Sequence, residues 1–231
     1  MQQASHKIKY MRILSFNSSE DLANQTEVLM RELAESKQDL IRGFFPTGKS
    51  AEMFYAKLRM HSYWHAKFLG LQIDEFAQPG HLFLSQLQRQ IILPLGLEDQ
   101  FDTIDPTWNE LEMKEHILSV ISHKIDFALL GLGPNGHIGF HEPGAGDQNF
   151  LGGKVILTEQ SSKRVLGATT RTALTFGAGS FLRAEKIILI AIGGEKEMIF
   201  QKFLTTAPTS ELPATLLKNH PDFTVLTTFK S

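Results

Sequence analysis

Hydrophobic residues follow two alternating patterns along this chain. Short continuous apolar runs, which predict buried strands, are separated by segments in which apolar residues recur every three or four positions, which predict helices. The predicted strands cover residues 39–45, 68–73, 127–130, 153–158, 186–192 and 222–226. The predicted helices run from a cap at Ser18 or Ser19 to about residue 36, then over residues 50–60, 81–93, 107–122, from 195 onward and over 211–218.

The alternation of strands and helices predicts an α/β fold, in which a mostly parallel sheet is covered by helices on both faces. No internal repeat, low-complexity block or linker-like stretch divides residues 1–231, so we expect a single domain. In sheets of this kind, ligands bind beyond the carboxyl ends of the strands. The unusual residues of this chain follow the predicted strands and should therefore meet at that edge.

Composition narrows the classes of function. The 231 residues carry a net charge of -2, so no basic field attracts nucleic acid or an anionic membrane, and neither is an expected partner. No apolar run reaches the roughly 18 residues of a membrane span, and residues 1–10 lack the apolar region of a signal peptide. We therefore expect a cytoplasmic protein. The absence of cysteine excludes disulfides and thiolate chemistry.

Two glycine-rich patterns match nucleotide-binding motifs but lack the physical properties those motifs need. Residues 43–50, GFFPTGKS, match a phosphate loop, yet Pro46 has no N–H to offer a phosphate and the two phenylalanines suit a buried strand end. Residues 131–136 match the dinucleotide fingerprint, which must open a helix. Two glycines and a proline among the next eight residues disfavour that helix.

A metal site made of His137, His141 and Glu142 is also disfavoured, because a His-x3-His spacing aligns its ligands only on a helix. Acid–base chemistry suits the same loop better, since a histidine held by a nearby carboxylate can move protons. Asn135, His137 and Glu142 are the candidates for this chemistry. The alternative, which we weigh equally, is that these side chains only tie the loop down.

A further candidate base lies in the acidic pair Asp74-Glu75, which ends an apolar strand. Burial against an apolar sheet disfavours the charged form of a carboxyl group and raises its pKa. The alternative is an acidic cap of the following turn. Two predicted helix starts, at Thr47–Ser50 and at Gly193–Lys196, offer N–H groups, hydroxyls and a lysine to an anion. Together they suggest a phosphorylated substrate, although Lys196 alone could be a solvated surface residue.

These segments together resemble the glucosamine-6-phosphate deaminase (isomerase) family. Residues 130–144, LGLGPNGHIGFHEPG, are similar to the family signature G-x-G-x-[ND]-G-H-I-[AG]-F-N-E-P. Shorter family motifs are matched in the same order by FPTG at 45–48, IDEF at 73–76, ALTFGAG at 173–179, GGEK at 193–196 and HPDFTV at 220–225. The matches span about residues 40–226.

The resemblance implies a Rossmann-like α/β domain shared with 6-phosphogluconolactonases and ribose-5-phosphate isomerases. It implies isomerisation and deamination of a hexosamine 6-phosphate to fructose 6-phosphate and ammonia, without metal or organic cofactor. The resemblance does not decide whether the chain forms a homo-oligomer. Asp74 matches the base that moves the C2 proton, and His137 matches the residue that opens the sugar ring, supported by Asn135 and Glu142. The phosphate side is assigned to Thr47, Gly48, Lys49, Ser50, Arg164 and Lys196.

This chain also departs from the family pattern. Lys49 follows the phosphate turn where the family has a small residue, and His141 stands where the family has Asn. The segments after Glu75 and between residues 158 and 173 are short, so effector-site and hexamer-forming elements are expected to be missing. The resemblance does not decide which of the two C4 epimers, glucosamine 6-phosphate or galactosamine 6-phosphate, is the substrate. The rival interpretations are a 6-phosphogluconolactonase, disfavoured by Glu142-Pro143, a non-catalytic sugar-phosphate sensor, and a nucleotide hydrolase.

Overall fold

The computed structural model describes residues 7–8, 11–163, 165 and 167–230. The strands are β1 Lys7–Ile8, β2 Met11–Ser15, β3 Ile41–Phe45, β4 Phe68–Gln72, β5 Asp74–Phe76, β6 Phe101–Asp102, β7 Ile125–Gly131, β8 Gly152–Ile156, β9 Thr172–Phe176, β10 Ala184–Ala191 and β11 Phe223–Thr227. The helices are α1 Ser19–Glu35, α2 Lys49–Arg59, α3 Leu82–Leu87, α4 Leu93–Leu95, α5 Glu110–Ile121, α6 Glu159–Lys163, α7 Ala178–Phe181 and α8 Glu197–Thr205. Short 3-10 segments cover Ser62–Trp64, Glu98–Gln100, Gly194–Lys196 and Pro213–Asn219, and a π-turn covers Gln88–Ile92.

The described strands form a main sheet of eight strands in the order β1-β2-β11-β10-β7-β3-β4-β6. All neighbours in it pair parallel except β1, which pairs antiparallel with β2. Strand β10 shows why the sheet is covered on both faces. Its residues Ile187 and Leu189 enter one hydrophobic core, whereas Ile188 and Ile190 enter the core on the opposite face. The predicted α/β class with a mostly parallel sheet is confirmed.

A second, antiparallel sheet of three strands, in the order β5-β9-β8, lies beside the main sheet. The sequence patterns predict β8, as the strand expected over residues 153–158, but neither β5, β9 nor a separate antiparallel sheet. The strand expected over residues 68–73 ends at Gln72, and after Ile73 the chain enters β5. The Phe176 N–H donates to the Ile73 carbonyl at 2.9 Å, which fastens β9 to the point where the chain leaves the main sheet.

Helix starts follow the local capping chemistry. The Ser18 hydroxyl accepts the Asp21 N–H at 3.0 Å, so α1 begins where its cap was predicted. Asn109 and Glu112 form a reciprocal capping box, which starts α5 at Glu110 rather than at 107. Two helix predictions are wrong in detail. The helix predicted over residues 81–93 is interrupted by the π-turn at Gln88–Ile92. In place of the helix predicted over residues 211–218, the chain forms a 3-10 segment over Pro213–Asn219. Among the described residues, no helix combines the length and apolarity needed to cross a membrane.

Candidate active site

A cavity of about 460 Å³ opens at the carboxyl edge of the main sheet. Segments that follow β3, β7 and β10 line one side of it, and Ile73 with Asp74 lines another. The wall also includes two aromatic rings, Phe83 and Phe140. The cavity therefore lies where parallel α/β sheets place their ligands, and it combines polar strand-end segments with an apolar wall.

The turn after β3 forms one end of the cavity. Phe44 and Phe45 alternate into the two hydrophobic cores, so the end of the strand is anchored on both faces. The buried Tyr55 hydroxyl donates to the Pro46 carbonyl at 2.6 Å. Gly48 has a φ of 89°, a conformation that favours glycine. No described side chain caps α2 after it, which leaves first-turn N–H groups available to an anion.

A lysine–serine pair completes this end. The Lys196 amine, which follows β10, donates to the Ser50 hydroxyl at 3.0 Å, although the two residues are 146 positions apart. Thr47, Gly48 and Lys49 also line the cavity, with the Lys49 side chain exposed at its surface. The structure thus brings together all the predicted phosphate-side residues that it describes; Arg164 lies outside the described residues.

Asp74 lies on β5 with 6% of its surface exposed and lines the cavity. Burial raises the pKa of its carboxyl group well above the ordinary value of 3.8, and the neighbouring Glu75 charge raises this pKa further. Among the described residues, no donor is hydrogen-bonded to the Asp74 carboxylate. A buried carboxyl group without donors is poised to accept a proton from a ligand.

Glu75 occupies the opposite face of β5 and is fully buried. Its carboxylate accepts the N–H groups of Phe83 and Leu84 at the start of α3, at 2.9–3.1 Å, and the side-chain amide of Gln72 at 3.2 Å. Glu75 therefore caps α3 and holds that helix against β5. Asp74 and Glu75 have different surroundings because the side chains of neighbouring strand residues point to opposite faces.

The loop after β7, residues 132–142, carries the predicted acid–base group. The Asn135 amide donates to one Glu142 oxygen at 2.7 Å, and His137 Nδ1 lies 3.6 Å from the other. A Cβ on Gly133 would lie 2.2 Å from the His137 ring, so only a glycine lets the ring approach the backbone there. With Nδ1 toward Glu142, the other nitrogen, Nε2, is directed at Gly133, which lines the cavity.

These positions separate the roles of the predicted catalytic residues. Asp74 and His137 line the cavity, whereas Asn135 and Glu142 lie behind His137. The 3.6 Å separation of His137 Nδ1 and Glu142 exceeds hydrogen-bond length, and such catalytic contacts commonly shorten when a ligand binds. The arrangement is suited to moving two protons at two places on one small molecule.

The cavity wall contains polar side chains that sequence analysis did not single out. Gln86, on α3, and Ser161, on α6, both line it. Neither belongs to a recognisable motif. Gln86 reaches the cavity because Glu75 holds α3 against β5, which is a tertiary contact. Within the described residues, no group of three or more His, Asp and Glu side chains comes together in a way that could hold a metal ion.

Comparison with known proteins now adds to this geometry. The family model of glucosamine-6-phosphate isomerases and 6-phosphogluconolactonases matches residues 85–226, more than half of the chain. The chain belongs to this family. The family consists of enzymes, either isomerases and deaminases or lactonases. The matched segment contains the His137 loop and Lys196 but begins after Asp74 and the β3 turn, whose placement is shown by the structure alone.

Individual family members are similar to this chain in sequence and in structure. The glucosamine-6-phosphate deaminase of Bacillus cereus (strain B4264) is 28% identical over 235 residues, which covers 94% of this chain and 86% of the relative. A solved monomeric glucosamine-6-phosphate deaminase has a TM-score of 0.84 at 24% identity, covering 93% of this chain and 96% of its own. The 6-phosphogluconolactonase of Thermotoga maritima has a TM-score of 0.75 at 16% identity, covering 94% and 98% respectively. These structural likenesses show that the fold is shared across the family.

Proposed function

We propose that the protein converts a hexosamine 6-phosphate, either glucosamine 6-phosphate or its C4 epimer galactosamine 6-phosphate, into a ketohexose 6-phosphate and ammonia. The observation that carries the proposal is the pair of proton-transfer groups, Asp74 and His137, that line one cavity with an anion-binding end. Relatives at 28–29% identity are glucosamine-6-phosphate deaminases, which supports this choice within the family.

The substrate phosphate would be held at the β3 turn, by the Lys196 amine, the Ser50 hydroxyl and the N–H groups at the start of α2. Anchoring the phosphate fixes the direction in which the sugar extends across the cavity. Both proton-transfer groups then act on atoms that are already aligned, which removes much of the entropic barrier.

Ring opening comes first in the proposed reaction. A proton leaves the O1 hydroxyl, the bond between C1 and the ring oxygen breaks, and a proton is delivered to that oxygen. His137 is suited to both transfers, since Glu142 beside Nδ1 orients the ring and stabilises its charged form. The Asn135 amide, bonded to Glu142 at 2.7 Å, keeps this carboxylate in place.

Isomerisation follows on the open-chain aldehyde. The Asp74 carboxylate removes the C2 proton while a proton is delivered to O1, which gives an enolamine. The proton held by Asp74 is then returned to C1, which leaves a protonated imine at C2. Water adds to this imine and ammonia leaves, so the product is a ketohexose 6-phosphate. A carboxylate whose pKa is raised by burial is a stronger base than an exposed one, which favours proton removal from carbon.

Lactone hydrolysis, the other activity within the family, needs one base to activate one water molecule. It has no evident use for Asp74, a further buried carboxyl group that lines the same cavity. The presence of Asp74 together with the His137 loop therefore favours isomerisation with deamination over hydrolysis.

The deciding experiment measures ammonia release from glucosamine 6-phosphate and galactosamine 6-phosphate, with 6-phosphogluconolactone hydrolysis followed in parallel. Ammonia from either amino sugar is the expected result, and the faster substrate identifies the epimer. Hydrolysis of the lactone without ammonia release would replace the proposal by a lactonase. Thermal stabilisation by the amino sugars without any turnover would indicate a sugar-phosphate sensor.

Lys196→Ala tests the anion-binding end. We expect KM for the sugar phosphate to rise about 10- to 100-fold with little change in kcat, because a charge-assisted hydrogen bond contributes similarly to ground-state and transition-state binding. Steady-state kinetics measure both quantities. The control is Lys186→Ala at the other end of β10, where Lys186 pairs with Asp222. An unchanged KM in the Lys196 variant would remove this residue from phosphate binding.

A further inference from the structure

Two successive residues of the His137 loop are hydrogen-bonded to the segment in which β9 leads into α7. The Phe140 N–H donates to the Thr175 hydroxyl at 3.0 Å, and the Ala178 N–H donates to His141 Nδ1 at 3.1 Å. The side chains of Thr175 and His141 are fully buried, so water does not compete for either hydrogen bond. The loop is thus attached to the smaller sheet immediately after His137.

Each of the two holding side chains is also bonded on its other side. The Thr175 hydroxyl donates to the Phe176 carbonyl at 2.8 Å. Because Nδ1 of His141 accepts, its ring proton is on Nε2, which lies 3.1 Å from the Gly146 carbonyl. Burial lowers the pKa of His141, against the opposing effects of the Gly146 carbonyl and Asp147, and so favours this neutral form. Neither side chain can turn away without leaving a buried polar group unpaired.

The same turn is attached to the strand that carries Asp74. In the register of β9 with β5, Thr175 is paired directly with Asp74. Gly139 of the loop packs onto this point, since a Cβ there would lie 2.7 Å from Ile73 Cγ2 and 3.6 Å from Asp74 Oδ2. The loop therefore packs against Asp74 and contributes to the burial of its carboxyl group.

We propose that Thr175 and His141 are positioning residues that set the distance between His137 and Asp74. This inference rests on the proposed function, in which the two groups act on one substrate, and it gives the β9–α7 turn a role in the reaction. Thr175 holds the loop over Asp74, and His141 holds the segment between His137 and Glu142 in place.

Thr175→Val removes the hydroxyl while it preserves the shape of the side chain. We expect kcat to fall about 10- to 100-fold, as a displacement near 1 Å does in well-aligned sites, with KM changed less than about twofold. We also expect the acid limb of the pH–rate profile to move to lower pH, because a loosened loop admits water to Asp74. The charged or titratable groups beside Asp74 are Glu75 on its own strand and, lining the same cavity, His137, Lys49, Glu195 and Lys196. Thr175→Ser should restore both properties.

The matched control is Thr227→Val. Thr227 is equally buried, donates to the Ala191 carbonyl at 2.9 Å and accepts the Phe229 N–H at 3.0 Å, but it does not line the cavity. This variant should lose thermal stability without a change in the pH–rate profile. If Thr175→Val behaves in the same way, Thr175 has a structural role only and the proposal is wrong.

His141 provides a second and independent pair of variants. His141→Asn keeps an acceptor for the Ala178 N–H and should retain kcat within about threefold, whereas His141→Leu removes it and should lower kcat at least 10-fold. Equal kcat values of His141→Asn and His141→Leu would contradict the positioning role of His141. This pair of variants tests the proposal even if Thr175→Val does not fold.

Hydrogen exchange separates a failure of this inference from a failure of the proposed function. The amides of residues 137–142 should exchange faster in Thr175→Val and in His141→Leu than in Thr227→Val, whatever substrate the protein turns over. If the wild-type protein releases no ammonia but this exchange pattern holds, the proposed function is wrong and the attachment of the loop stands. Unchanged exchange would contradict the attachment itself.

Discussion

Asp74→Asn is expected to lower kcat for ammonia release about 10²- to 10⁴-fold, the range attributed to a positioned general base. The amide has nearly the same shape as the carboxyl group, but it cannot accept the proton from C2. Inorganic phosphate should bind the variant as it binds the wild type, because the proposed phosphate contacts, Lys196 and Ser50, are made by other segments of the cavity wall. Isothermal titration and initial rates measure the two quantities, and a fully active variant would refute the enolisation role.

The same substitution is expected to stabilise the fold. Because folding raises the pKa of Asp74, the carboxyl group favours the folded state below its unfolded pKa near 3.8, and this contribution is lost as pH rises through the folded pKa. Above the folded pKa, the buried charge destabilises the protein, and Asn carries no such charge. The melting temperature of the variant should exceed that of the wild type at pH 8, and the difference should vanish near pH 3.5.

The direction of the pKa shift also predicts the pH dependence of catalysis. The base must be ionised to act, so kcat should fall as pH decreases through the folded pKa of Asp74. This acid limb should lie well above the ordinary carboxyl pKa of 3.8. A pH–rate profile that remains flat down to pH 4 would contradict a buried carboxylate base.

His137→Gln is the second substitution with a large expected effect, a loss of about 10²- to 10³-fold in kcat. Glutamine keeps a polar side chain near Glu142 but cannot exchange a proton near neutral pH, so ring opening becomes slow. The remaining activity should depend less on pH. The control is His123→Gln, an exposed histidine just beyond the end of α5. An unchanged pH profile in the His137 variant would remove this residue from ring opening.

Much of the architecture follows from hydrophobic periodicity. Strand β10 contains the continuous apolar run Ile187–Ala191, and only a position between two helical layers buries both faces of that run. Strand β9, with the sequence TALTF, was not predicted as a strand, because it is short and mixes polar with apolar residues. Its pairing with β5, about 100 residues earlier, is decided by tertiary contacts. The small sheet therefore could not be read from local patterns.

The residues of the candidate site also fall into those that local sequence patterns predict and those that depend on tertiary contacts. The loop after β7 and the turn after β3 were found because glycines and polar residues directly follow apolar strands. The local pattern could not decide which of Asp74 and Glu75 faces the cavity, since that depends on the direction in which β5 leaves the main sheet; only the family resemblance favoured Asp74. Thr175 lies within the matched motif ALTFGAG, but the motif assigned it no role, because its bond to Phe140 joins residues 35 positions apart.

Asp74 belongs to the three-stranded sheet, whereas the anion-binding end of the cavity is built on the eight-stranded sheet. The span from a bound phosphate to the base is thus a distance between two separately hydrogen-bonded units. The small sheet is bonded to Ile73 through the Phe176 N–H and to the His137 loop through the Thr175 hydroxyl. A change in how β5, β9 and β8 sit beside the main sheet would therefore carry Asp74 and that loop together and alter their common reach from the phosphate.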